Sequence, residues 1–257
     1  MTKIKILSIF TILFAAFSFV SCDNEPIDPT LLQQVNSGGN NAGGGSGGSG
    51  GSGGGTSSGD YWPTALNNQW IYSLNGVPQQ PMKMVSVNSI GGFTYYTFNQ
   101  ATGAGGGATG TGVSRLRKSS GDYFIKLEDM NISAGGFNGV QTGYEMLLLK
   151  DYLTAGSSWT GSYSQTTTYT DPSFPVITQN TNYTGTILST GNTEVVDGET
   201  YTNVIKMKLS QTTSINGVTS SAADTEYWFA KNVGPIKNVI TSGATSYTNI
   251  LTDYTLF

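Results

Sequence analysis

The sequence predicts an all-β domain, an antiparallel meander of about ten to twelve strands closed or half-closed into a barrel, behind a disordered N-terminal tether. Three observations predict it. Short runs rich in Val, Ile, Tyr, Phe and Thr recur between turn dipeptides such as Asn75-Gly76, Ser120-Gly121 and Asn216-Gly217. Apolar and charged residues alternate cleanly in two places: Tyr123, Ile125 and Leu127 against Lys126 and Glu128, and Ile205, Met207 and Leu209 against Lys206 and Lys208. No amphipathic stretch is long enough for the helical crossover that parallel strands need. An open meander exposes unpaired strand edges, and closure removes them.

The N-terminus has a different character. Residues 1–21 read as a secretory signal: Lys3 and Lys5 supply the positive end, and an apolar run over 6–20 is broken only by Ser8, Thr11 and Ser18. That run is short of the roughly 20 apolar residues a membrane-spanning helix requires. Cys22 is the single cysteine of the chain, and an unpaired thiol in an oxidising compartment needs a role. Phe19-Val20-Ser21-Cys22 resembles the lipobox of Gram-negative lipoproteins, with Phe19 where Leu is commonest. The resemblance implies cleavage before Cys22 and lipidation of Cys22 with a diacylglyceryl group and an N-acyl chain. One acyl chain holds a protein only marginally, whereas several anchor it durably. The implied location is the outer membrane, on its periplasmic or cell-surface face. Asp23, Glu25 and Asp28 follow closely. They are either a sorting signal, as the resemblance implies, or a solvated acidic spacer.

Residues 22–59 form the tether, acidic at first and then Gly/Ser-rich. Such a composition buries too little apolar surface to offset its ordering entropy. The span from Cys22 to Asp60 has an r.m.s. reach of about 30–37 Å as a flexible coil. Residues 47–51 match G-x-S-x-G, but any Gly/Ser tract produces that pattern outside its strand–turn–helix setting.

Residues 60–257 form the β-rich domain. With 12 basic and 16 acidic residues in the chain and two lysines leaving with the signal, the mature charge is 10 − 16 = −6. No basic face for nucleic acid is present. Strands are predicted over 70–74, 82–90, 93–99, 113–118, 123–130, 159–169, 176–189, 193–196, 201–215, 218–230, 236–241 and 246–257. Residues 144–153 are the best helix candidate, and equally a buried strand. Gly105 to Gly110 match G-x-G-x-x-G without a helix after them, and read as a mobile hairpin loop rather than a dinucleotide site. The predicted inward positions are Ile125, Leu127, Ile205, Met207, Leu209, Trp70 and Trp228.

Three segments carry a second likeness. Tyr61-Trp62-Pro63 with Asn67-Asn68-Gln69-Trp70-Ile71-Tyr72, then Thr202-Asn203-Val204-Ile205-Lys206-Met207-Lys208, then Glu226-Tyr227-Trp228-Phe229-Ala230-Lys231-Asn232-Val233-Gly234-Pro235-Ile236-Lys237 resemble, in order, motifs of a group of bacterial secreted and lipid-anchored β proteins. Asn68 and Asn232 stand where that group has Gly, and Asn tolerates positive φ better than most residues. The resemblance implies a curved barrel or half-barrel of the lipocalin and lipoprotein-carrier kind, with no established enzymatic activity. A ligand does not follow from fold alone.

The residue inventory narrows the chemistry. The chain has no histidine, which removes imidazole acid–base work and His-based metal sites. With Cys22 assigned to lipid, thiolate catalysis and zinc–thiolate sites go too. Glu128-Asp129 are strand neighbours that point to opposite faces, and Asp197 and Glu199 flank a turn glycine. Asp171, Asp197 and Asp224 are isolated rather than spaced as a calcium loop. Arg115, Arg117 and Lys118 are the one basic cluster, either solvated or a docking site for an acidic partner. Tyr95-Tyr96 and the pair Tyr163 and Tyr169 belong to the core or to a surface that stacks on sugars or seats a protein. No catalytic residue, cofactor site or metal site is assigned. The expectation is a non-enzymatic, membrane-anchored binding protein whose partner is an envelope protein, lipid or glycan. Its alternatives are an apolar-ligand (lipid) half-barrel and a surface glycan-binding lipoprotein.

Overall fold

The computed structural model describes residues 55–105, 108–134, 136–215 and 217–257. Cys22, the residues around it and the tether up to residue 54 lie outside these. The described residues form strands and turns, with no helix among them. In order they are β1 (Gln69–Leu74), β2 (Val77–Pro78), β3 (Met82–Ile90), β4 (Phe93–Phe98), β5 (Ala101–Gly105), β6 (Ala108–Gly112), β7 (Ser114–Ser119), β8 (Asp122–Leu127) and β9 (Met130–Ala134). They continue with β10 (Phe137–Gln141), β11 (Tyr144–Lys150), β12 (Ser158–Tyr169), β13 (Ile177–Val196), β14 (Glu199–Ile215), β15 (Val218–Ala230), β16 (Gly234–Ser242) and β17 (Thr245–Thr255).

Local chemistry sets the turns. At Asn75-Gly76 the two φ angles are 47° and 85°, and Ser120-Gly121 and Asp197-Gly198 repeat the pattern. Two consecutive positive φ values make the primed turn whose twist matches the strands it joins. Asn232 takes the glycine-like role expected of it, with φ 62°. At the other substituted position the left-handed residue is Asn67, with φ 70°, and the buried Asn68 accepts the backbone N–H of Phe257 at 2.9 Å.

Every strand pairing is antiparallel. β12 to β17 pair in sequence, β17 pairs with β1, and β1 touches the start of β3 through Gln69 and Trp70. The middle of the chain is built from bent strands. β4 and β5, β6 and β7, β8 and β9, and β10 and β11 are each separated by only one or two residues. One half of these strands pairs as β4–β7–β8–β11 and the other as β5–β6–β9–β10, and only the second half continues, through β10, into β12. The sheet is therefore curved but not closed, because β11 has a ladder on one side only.

Side chains seal that seam. Leu147 on β11 accepts a hydrogen bond from Trp159 Nε1 at 3.1 Å and donates its backbone N–H to the Tyr183 hydroxyl at 3.1 Å. Both rings need glycine opposite them. Trp159 pairs with Gly185 and Tyr183 with Gly161, and a Cβ on either glycine would sit 2.2 Å from the facing aromatic. Gly185→Ala is expected to displace Trp159 and lower stability by about 1–3 kcal/mol, the usual cost of overpacking. Urea denaturation with tryptophan fluorescence checks it.

Two open readings are settled here. Of the two readings of residues 144–153, the buried strand holds for β11, Tyr144–Lys150, and its run of leucines is explained by a bulge between Leu147 and Leu149 that turns both Leu148 and Leu149 into the core. The Gly-rich segment read as a mobile hairpin loop is a hairpin whose arms are the paired strands β5 and β6, in register from Ala101 opposite Gly112 to Gly105 opposite Ala108. It carries no apolar periodicity, so its strands are held by backbone bonds to each other and to β9.

The core lies inside the curve. Trp70, Met207, Ile205 and Leu209 are buried, as are Ile125 and Leu127, matching the alternation. Trp62 and Trp70 converge on Phe98, with ring centroids 5.7 and 6.3 Å away, and Trp62 also meets Phe229 at 6.1 Å. Trp228 is the exception. Its neighbours across β14 and β16 are Lys206 and Lys237, whose ammonium groups lie 4.5 and 4.7 Å from its ring, while Tyr227 and Phe229 pair with the inward Met207 and Ile205. Trp228 is thus on the outer face, covered by lysine stems and held by cation–π contact.

Candidate binding regions

On the outer face of β4, β7, β8 and β11, cations and aromatics interleave. Arg115 lies opposite Thr97 and Lys126, and Lys126 opposite Glu145. Glu128, just past β8, accepts Arg115 Nε at 2.6 Å and Lys126 Nζ at 2.7 Å. Burial pushes its carboxyl up, but those two hydrogen bonds and charges outweigh burial and hold it below the usual range. The Arg117 guanidinium bonds Glu145 and lies 3.6 Å from the Phe124 ring centroid and 4.6 Å from that of Phe93. Tyr95 donates its hydroxyl to the same Glu145. Lys118 lies elsewhere, 2.7 Å from Asp60 Oδ1. The basic cluster is therefore three cations each with its own intramolecular carboxylate, not a free anionic dock.

The tyrosines report on this packing. Burial first, then the Glu145 hydrogen bond, pushes the Tyr95 hydroxyl up to about 12, and burial raises Tyr72, Tyr123, Tyr144 and Tyr227 further. A folded pKa above the unfolded value means stability is intact below about pH 10 and falls as pH rises through the folded values. The tyrosinate absorbance of these buried hydroxyls is expected to appear in one step with loss of the β-sheet circular dichroism, above pH 10.

The carboxylates singled out by sequence are dispersed. Asp129 accepts the backbone N–H of Gly143 at 2.8 Å, apart from the Glu128 ion pairs. Asp197 occupies its turn with φ 52°. Asp171 binds the N–H and hydroxyl of Ser173, and Asp224 pairs with Lys208 at 3.1 Å. Among the described residues no three His, Cys, Asp or Glu side chains gather as a metal cluster.

The domain also holds its N-terminal leader. The buried Asp151 accepts the Ser57 hydroxyl at 2.6 Å and the Ser58 N–H at 3.0 Å. Lys231 Nζ donates to the Ser58 carbonyl at 2.9 Å, and the Tyr123 hydroxyl to the Gly59 carbonyl at 3.1 Å. Packing thus includes residues before Asp60, where composition alone places the boundary.

Far from this strap lies an aromatic cluster in which Phe137 is exposed and Tyr169 and Phe174 are half-buried. Phe137 and Phe174 have centroids 4.4 Å apart, and Tyr169 lies 5.4 Å from Phe174. Val140 and Val176, which sequence reasoning did not single out, are exposed on the neighbouring strand and loop. The strap bonds next to the start of β12 and Tyr169 ends it, so about 35–40 Å of strand separates them. Tyr163, by contrast, is buried and stacks on Tyr144 at 3.9 Å.

Inside, two kinds of surface meet. Toward β8 and β11 the interior is apolar, whereas β12, β13 and β14 contribute the buried Gln165, Thr167, Gln179, Thr181, Gln211 and Thr213. The hydroxyls of Thr181 and Thr213 are 2.8 Å apart, and Gln211 Nε2 donates to the Tyr163 hydroxyl at 3.1 Å. A cavity of about 60 Å³ remains, bordered by Tyr72, Leu209, Gln211, Tyr227, Asn238 and Asn249 among others.

No family model matches the chain, and no curated protein does. Among solved structures, it is similar to a candidate lipoprotein from Parabacteroides distasonis ATCC 8503, at 11% identity and TM-score 0.50, over 77% of this chain and 99% of that one. It also aligns with a candidate exported protein with a YmcC-like fold from Bacteroides fragilis NCTC 9343, at 9% identity and TM-score 0.39, over 77% and 100%. The first likeness shows a shared all-β fold.

Proposed function

We propose that this chain is a lipid-anchored envelope protein, held on the outer membrane through Cys22, whose β domain acts by binding a partner rather than by catalysis. The lipobox-like segment supports the attachment, and the shared fold with a candidate lipoprotein is consistent with it. The filled interior carries the reading of how it works. The cavity bordered by Leu209 and Tyr227 is about 60 Å³, well below the roughly 300–1,000 Å³ of ordinary ligand pockets, which argues against an acyl chain at that place. Binding then falls to the outside. Native mass spectrometry of the soluble Cys22→Ser protein is expected to show the bare chain mass, and a stoichiometric lipid would move the assignment to a carrier.

The exposed Phe137, with the half-buried Tyr169 and Phe174 beside it, favours one alternative, a surface that stacks on glycans, at the end of β12 away from the strap. Glycan-array binding abolished by Phe174→Ser would support it, and equal signal from both proteins would reject it.

A further inference from the structure

The charges of the domain are unevenly placed. Residues 101–112, 130–142, 160–184, 210–224 and 239–248 include no lysine or arginine, and Asp171 and Asp224 are their only carboxylates. The strand registers gather the described parts of these segments in the half of the sheet away from the strap. Asp224 stands at the border of that half, paired with Lys208, and Asp171 is bound by Ser173. A charge covered by a neutral partner gives up water and gains no counter-charge, so surfaces that bind neutral groups are poor in charge.

Hydroxyls and amides take the place of charge. Asn138, Ser164, Thr168 and Asn180 are exposed on the outer face of β10, β12 and β13, with Val140 opposite Thr168 and Ser164 opposite Asn180. The ring cluster stands where β10 begins and β12 ends, and Phe137 is its exposed member. Protein interfaces are poor in serine and centre on several large anchors. One open ring beside neutral hydrogen-bonding side chains suits instead a partner with apolar CH faces and hydroxyls of its own. An acidic polymer would meet no cation there. The described chain enters the domain at the strap, so anchoring through Cys22 leaves this end the farther from the attachment. Resting on the glycan reading above, we propose that this surface binds a neutral glycan, with one sugar ring stacked on Phe137 and its neighbours over Asn138 and Thr168.

The test is affinity electrophoresis of the full mature chain carrying Cys22→Ser, in native gels containing dextran, laminarin, xylan or mannan. Parallel gels contain polygalacturonate or hyaluronan. Retardation by at least one neutral polymer, and by neither acidic one, is expected. Phe137→Ser should weaken that retardation about tenfold, the scale of one stacked ring. Asn138→Ala should weaken it severalfold, and it decides alone should Phe137→Ser lose the native circular dichroism. Retardation unchanged in the folded variants would place the glycan elsewhere and overturn the proposal. Retardation by the acidic polymers would overturn the neutral assignment while keeping the glycan reading. No retardation in any gel would end both together and leave this surface to a protein partner.

Discussion

Leu209→Ala is expected to destabilise the domain by about 2–5 kcal/mol, the range for deleting a large aliphatic side chain from a packed core. Leu209 is 1% exposed, pairs with Thr225 on β15, and borders the existing cavity, so the truncation enlarges a void that the curved sheet cannot collapse around. Leu209→Met, which conserves volume, should cost less than about 1.5 kcal/mol. The control is Trp228→Ala. That ring is nearly as buried, but it lies on the outer face between two lysines, whose stems can close over the gap. Its loss should fall below that of Leu209→Ala, although the deleted side chain is larger. Urea denaturation of the three variants measures this. The opposite order would mean that Trp228 belongs to the core and that the register of β14 and β15 is wrong.

The contrast between these two residues shows what was legible in the sequence. Strand β14 alternates apolar and lysine residues, so its inward set of Ile205, Met207 and Leu209 followed from a period of two. On β15, Tyr227-Trp228-Phe229 has no polar residue to mark the outer face, and hydrophobicity alone could not assign the middle ring. The answer came from its cross-strand partners, Lys206 and Lys237, which are distant in sequence. The strands of the β5–β6 hairpin were hidden for the converse reason: Ala, Thr and Gly give no pattern, and the pairing with β9 depends on backbone groups common to every residue.

The candidate regions were harder still. The buried Gln and Thr residues of β12 to β14 look the same in sequence as solvated ones, because composition records polarity but not which side of a strand is covered. Asn238 and Asn249 gave no signal for the same reason. Arg115, Arg117 and Lys118 suggested an open basic patch because they are close in sequence. Their partners Glu128, Glu145 and Asp60 come from three other segments, and only folding brings each pair together. The turns were readable throughout, since Asn-Gly, Ser-Gly and Asp-Gly encode their own backbone angles.

Cys22→Ser is expected to move the protein wholly from the membrane fraction to the soluble fraction. The physical basis is the size of the anchor. Each buried CH₂ contributes about 0.8 kcal/mol, so an anchor of two or three acyl chains binds effectively without release. No helix among the described residues is long and apolar enough to cross a membrane. With residues 1–21 removed, as the proposal has it, the charge of 10 − 16 = −6 opposes adsorption to anionic lipid rather than assisting it. Serine keeps the size and polarity of the site but lacks the thiol that accepts the lipid. Fractionation should therefore separate the two proteins completely, and metabolic labelling with a fatty-acid probe should mark the wild type alone. The folded domain should be unaffected, because the described residues that pack on it, from Gly55 onward, lie more than thirty residues after Cys22. Recovery of the serine variant, with residues 1–21 removed, in membranes that release it only to detergent would reject Cys22 as the anchor.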